Sequence, residues 1–256
     1  MTKIMPGAEP FRFEGKTASV LALHGFTGTP QSMRYVGEAI HERFGFTVMC
    51  PLLAGHGTTP DEMEKTGYLD WLNSAETALR DLAAEGRPVF VIGLSMGGSL
   101  TLNLAARFGD IVKGAISVNA PAIALGPDMA ALLCSQDSAM RVPGVGSDIK
   151  APGVVEVAYA EFPASCLADG HLLFGVTSNL LSRITCPITV IQSRDDHVVP
   201  ARNALDIVNG LTSSDHIRLI WLNESYHVAT LDNDKDLIVA QAGDLINHVL
   251  ANRPAA

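Results

Sequence analysis

Residues 88–98 read PVFVIGLSMGG, Pro88 to Gly98. Pro88 and Gly93 bound a short apolar run, the signature of a buried strand. From Met96 to Phe108 the pattern turns helical, so the chain passes directly from strand to helix with Ser95 at the joint. A turn that sharp lifts a serine hydroxyl clear of the sheet. The glycines at 93, 97 and 98 fit the same geometry, because Cβ atoms there would meet neighbouring backbone. G-x-S-x-G alone is a weak signal. The strand before it and the helix behind it make Ser95 a candidate nucleophile.

Working outward, strands and helices alternate. Short apolar runs at 18–23, 47–50, 115–118, 188–191 and 217–222 read as strands, and helices are expected over 29–44, 70–85, 96–108 and 235–250. Thr29-Pro30 supplies a helix start with Thr29 as N-cap, and Gly45 a stop. This order predicts an α/β fold, a mostly parallel sheet with helices on both faces. The alternation fails between 121 and 183, where helix-like pieces at 129–134 and 172–181 flank a Pro/Gly-rich middle and a briefly alternating run at 154–159. The expected organisation is a core of residues 1–120 and 184–256 with a cap inserted at 121–183, over the carboxyl edge of the sheet where ligands bind in such folds.

Composition narrows the partners. The chain has 256 residues, 47% of them hydrophobic, enough for one well-buried domain. A formal net charge of −9 with no basic stretch argues against nucleic acid or an anionic membrane surface and favours a small neutral molecule. Cys50, Cys134, Cys166 and Cys186 form no metal-ligand pattern and read as reduced thiols, so neither metal nor cofactor is expected. Residues 1–15 lack the apolar core of a signal peptide, and no apolar run is long enough to span a bilayer. Cytoplasmic residence is the expectation. Oligomeric state is not legible, and an apolar cap is a surface that could rest against lipid or a second subunit.

A serine hydroxyl needs a base. On a sheet of this kind the acid and the histidine follow the serine in chain order. The stretch ITVIQSRDDHVVP puts acids at a strand's carboxyl end, where D-x-V-V-P selects Asp196 with Asp195 as the fallback. His197 reads as an exposed loop residue. WLNESYHVATLD then places His227 after the last strand and before the closing helix. His41 and His248 fall in helices, His216 at the opposite sheet edge, and His24 and His56 before the serine, where buried structural roles are the default. His171 lies in the cap, where it could touch substrate, with a surface role as the default. In this scheme His227 takes the Ser95 proton and Asp196 orients the imidazole. The N–H of Met96, at a helix N-terminus, and that of Phe26, in the loop after the first apolar strand, are candidate oxyanion donors.

HGFTG, GHGT, GLSMGG, D-x-V-V-P, SYHVATLD and the cap segment GSDIKAPGVVEVAY occur here in the order found in bacterial monoacylglycerol lipases and related carboxylesterases of the α/β-hydrolase fold, which the whole chain resembles. The resemblance implies cofactor-free hydrolysis of monoglycerides or similar small acyl esters through an acyl-serine. It puts the triad on Ser95, Asp196 and His227 and the oxyanion donors on Phe26 and Met96. By the cap segment it also places a glycerol-binding acid at Glu156 and an aliphatic residue narrowing the alcohol pocket at Val145. A thioesterase, an amidase or a carbon–carbon bond hydrolase could share fold and triad. A non-catalytic binder is disfavoured by the intact triad.

Overall fold

Burial along the central strands shows why these residues make a sheet covered on both sides. In β2 (Ser19–Leu23), Val20 and Ala22 enter one hydrophobic cluster while Leu21 and Leu23 enter the other. In β4 (Val89–Leu94), Phe90, Ile92 and Leu94 join the first of these clusters, Val89 and Val91 the second. This is the period of two expected of strands, with apolar residues required at every position because helices lie on both faces.

The computed structural model describes residues 2–122 and 140–252. With β1 (Phe11–Phe13), β3 (Thr47–Cys50), β5 (Val112–Val118), β8 (Ile188–Ser193) and β9 (Ile217–Leu222), the sheet runs β1-β3-β2-β4-β5-β8-β9. It is parallel apart from the antiparallel β1–β3 edge. Helices α1 (Gln31–Phe44) and α7 (Lys235–Ala251) cover one face. On the other lie α3 (Tyr68–Ala83) and α4 (Met96–Arg107). The short helices α2 (Pro60–Met63) and α6 (Asn203–Gly210) complete the periphery.

Between β5 and β8 the chain leaves the sheet. There β6 (Arg141–Pro143) pairs antiparallel with β7 (Glu161–Pro163), and α5 (Ser165–Ser178) packs on α3 and α4. The helix expected over 129–134 and Cys134 lie outside the described residues. The alternating run at 154–159 forms no strand. Its backbone is instead spent on the loop after β2: Thr29 donates to the Val157 carbonyl (2.8 Å), Gln31 accepts from Val157 N–H (3.0 Å), and Tyr159 N–H reaches the Thr27 carbonyl (3.1 Å). Thr29 is therefore not the cap of α1. Pro30 holds that position, and Gly45, at φ 70°, ends the helix as expected. The helix expected over 172–181 begins earlier, at Ser165. Among the described residues, Cys50, Cys166 and Cys186 are buried free thiols. No helix among the described residues is long and apolar enough to cross a membrane.

Candidate active site

The turn between β4 and α4 holds Ser95 at φ 54°, ψ −122°, a conformation that non-glycine residues seldom adopt. Its surroundings leave no slack. A Cβ on Gly97 would lie 2.1 Å from the Leu23 carbonyl oxygen and 2.6 Å from that of His24. A Cβ on Gly93 would meet the Gly97 carbonyl at 2.1 Å, and one on Gly98 would meet Ala120 Cβ at 2.6 Å. The glycines thus let α4 start hard against the sheet, and Ser95 is the residue left standing at its carboxyl edge.

Three loops from that edge bring their polar groups together. His227, after β9, sets Nε2 2.9 Å from Ser95 Oγ. Its Nδ1 lies 3.0 and 2.9 Å from the two carboxylate oxygens of Asp196, after β8. The Asp196 side chain is wholly shielded from solvent and that of His227 is 5% exposed. A buried carboxylate needs donors, and Asp196 has them: the N–H groups of Val198 (2.9 Å) and Val199 (2.8 Å) on one oxygen, Gln192 Nε2 (3.1 Å) on the other. His227 touches Asp196 and not Asp195, which is exposed. A hydroxyl hydrogen-bonded to an imidazole that itself leans on a carboxylate can attack a carbonyl carbon while passing its proton to the ring.

The loop carrying Phe26 passes directly beside the serine, since a Cβ on Gly25 would come within 3.3 Å of Ser95 Cβ. The Phe26 ring is fixed edge-on between Trp71 (5.6 Å between centroids) and Phe162 (5.1 Å). Met96 is the first residue of α4, so its N–H has no acceptor within the helix.

Ser95 and His227 open onto a cavity of about 400 Å³. Leu94, Phe162, Leu167, Phe174, Val198 and Val199 give it largely apolar walls. Val145 and Glu156 line the same cavity, so both cap residues singled out from the sequence meet the serine there. Glu156 is half-buried in the cavity wall. That burial lifts its carboxyl to about 7 against the pull of His227 and Ser32. A Cβ on Gly28 would lie 2.6 Å from Glu156 Oε1, so the HGFTG turn leaves room for this carboxylate.

His24 and His56 are the buried structural histidines expected. His24 Nε2 accepts from Leu53 N–H (3.1 Å), which puts the ring proton on Nδ1, facing the Gly25 carbonyl (3.0 Å). Burial holds His24 down at about 3, with His56 adding repulsion, and His56 at about 4. His56 departs from the expectation in one respect, because its buried Nε2 has no hydrogen-bond partner among the described residues. His171, half-buried, lines the cavity, which is the substrate-facing position its place in the cap left open.

Several residues that shape the site were not singled out from the sequence. Asn119, directly after β5 at φ 48°, is fully buried. Its side chain accepts from Ser193 N–H (2.7 Å) and donates to the His227 carbonyl (2.7 Å), joining the strand before Asp196 to the His227 loop. An asparagine closing an apolar strand is a signal for left-handed backbone. Asp232 is also fully buried and receives the N–H groups of Tyr226 (2.8 Å), Lys150 (2.7 Å) and Ala151 (2.9 Å). It stands within SYHVATLD, where its signal was an acid in an apolar stretch.

The profile of the alpha/beta hydrolase family matches residues 20–241. The thermostable monoacylglycerol lipase of Bacillus sp. (strain H-257) is 41% identical over 243 residues, covering 93% of this chain and 94% of that one. The carboxylesterase of Bacillus subtilis (strain 168) is 32% identical over 236 residues, covering 90% and 92%. A solved structure from the metagenome-derived lipolytic enzymes LipS and LipT superposes with a TM-score of 0.91 at 44% identity, covering 96% of this chain and all of that one.

Proposed function

The chain belongs to the alpha/beta hydrolase family and is an ester hydrolase, and from that premise we propose that it cleaves monoacylglycerols, or similar small acyl esters, through an acyl-enzyme on Ser95. In this reading Ser95 Oγ attacks the ester carbonyl and His227 Nε2 takes its proton. The N–H groups of Phe26 and Met96 hold the oxyanion. His227 returns the proton to the departing alcohol as the carbon–oxygen bond breaks. Water then repeats the sequence on the acyl-serine, releasing fatty acid and free Ser95. Asp196 fixes the imidazole tautomer and offsets its charge.

The observation that carries the reading is one unbroken line, Ser95–His227–Asp196, opening on an apolar cavity whose wall holds the carboxyl of Glu156. An acyl chain suits the apolar walls, and Glu156 offers a glycerol head a hydrogen-bond acceptor. Val145 narrows the alcohol side, and residues 121–183 act as the cap. The exposed side chains of Met140, Val145 and Val155 fit brief contact with lipid while substrate is collected. Cytoplasmic residence belongs to the same proposal, in keeping with the free thiols of Cys50, Cys166 and Cys186 among the described residues.

The test is a substrate panel at equal acyl length: monoacyl, diacyl and triacyl glycerols, acyl thioesters and aryl esters. Monoacylglycerol should give the highest kcat/KM, and dominance of thioesters would overturn the proposal. Ser95→Ala should abolish turnover of every ester. Glu156→Ala should raise KM for monoacylglycerol more than for an aryl ester of the same acid. Equal effects on both would remove Glu156 from the alcohol site.

A further inference from the structure

Asp148 has no part in the reaction just described, yet it touches both loops that carry it. One carboxylate oxygen accepts the backbone N–H of His227 (3.0 Å) and that of His197 (3.3 Å). The other faces His197 Nδ1 at 2.8 Å. Its main-chain carbonyl accepts Val228 N–H at 3.0 Å. A single residue of the insertion thereby grips the backbone of the proposed base and the residue directly after the proposed acid. The side chain is 15% exposed, whereas its partner His197 is 60% exposed.

The residues around Asp148 connect it to the cavity wall. Ser147 Oγ accepts Glu156 N–H (2.9 Å), and Val145 lines the cavity three residues upstream. Lys150 and Ala151 are held by Asp232 on the His227 loop. The wall of the proposed alcohol side and the imidazole are consequently one hydrogen-bonded unit, with Asp148 at its centre.

We infer that Asp148 is a positioning residue, whose carboxylate sets His227 between Ser95 and Asp196 and locks the cap wall to that setting. The inference rests on the proposed role of His227. Reactions of this kind are steep in geometry, because a displacement of about 1 Å at the reacting groups costs on the order of a hundredfold in rate. Losing the grip on one backbone N–H displaces the ring by less, so the expected loss is about tenfold.

Asp148→Asn can keep every bond. Its amide oxygen can receive the two backbone N–H groups while its NH2 faces a His197 ring that carries its own proton on Nε2. Asp148→Ala removes them all. The full-length protein and both variants are titrated with a fluorophosphonate, and kcat for an aryl ester is expressed per reactive serine. Asp148→Ala should lower kcat about tenfold with KM within about twofold, and Asp148→Asn should recover it to within about threefold of the parent. A folded Asp148→Ala protein with unchanged kcat, or Asn no better than Ala, would overturn the inference. Should the Ala variant fail to fold, His197→Phe removes only the partner of one carboxylate oxygen. It should then lower kcat by about two- to threefold, and no change would count equally against the inference. Ser95→Ala assayed alongside keeps the two questions separate. Ester turnover surviving in that variant would defeat the proposed reaction, whatever Asp148 does.

Discussion

Replacing Glu156 by Gln tests the electrostatics of the cavity wall through stability. Burial raises this carboxyl from an ordinary 4.5 to about 7, with His227 and Ser32 opposing. At pH values where it is ionised both folded and unfolded, holding the charge in the cavity wall costs about 3 kcal/mol. Gln keeps the shape and carries no charge. At low pH, below the unfolded value, Glu156 is protonated in both states and the two proteins should be equally stable. As pH rises from about 4.5 to about 7 the unfolded chain loses the proton and the folded protein keeps it, so the parent loses stability relative to the variant. Above about 7 the full difference persists. For a chain of this size about 3 kcal/mol corresponds to roughly 6–12 °C in Tm, an upper bound because the cavity also admits solvent. The assay is thermal unfolding by circular dichroism of both proteins from about pH 4 to about pH 8. A variant no more stable than the parent at pH 8, or a difference that does not grow with pH, would refute the reasoning.

Asp196→Asn should leave KM nearly unchanged and lower kcat by about ten-thousandfold, the scale seen when the acid of a serine triad loses its charge and favours the wrong imidazole tautomer. Steady-state kinetics on an aryl ester would show it, and a loss of less than tenfold would deny Asp196 the orienting role. Gly97→Ala forces a methyl group onto the Leu23 and His24 carbonyl oxygens. It should destabilise the fold by at least about 1–3 kcal/mol, read from the denaturation midpoint, and an unchanged midpoint would discredit the close approach.

The sheet was legible because its central strands β2 and β4 are buried throughout and every strand read from the sequence centres on a short apolar run between turn signals. Two short elements, β1 and α6, were not. β1 is a three-residue edge strand, and α6 is eight residues long, too short for a clear periodic pattern. The run at 154–159 misled because alternation on an irregular segment looks the same as alternation on a strand. Val157 and Tyr159 satisfy their backbone against the β2 loop, a long-range arrangement that no local pattern encodes. At the site, Ser95, Asp196 and His227 could be read because each sits at a strand's carboxyl end in a recognisable local pattern. Asn119, Asp148 and Asp232 could not, since their significance lies in which loops they join. Chain position alone does not reveal that a buried amide after β5 holds the loop after β9.

The bonds around Asp148 and Asp232 bear on how this architecture can be altered by recombination. An insertion attached only at its ends is a module, exchangeable between relatives at its two junctions. Here residues 148–151 are stitched to the loop after β9, and 155–159 to the segment after β2. A graft cut at the ends of the insertion would leave Asp232 facing foreign amides and the His227 N–H without its acceptor. Substrate range is therefore more safely exchanged through α5, which contributes Leu167, His171 and Phe174 to the cavity, than by swapping the insertion whole.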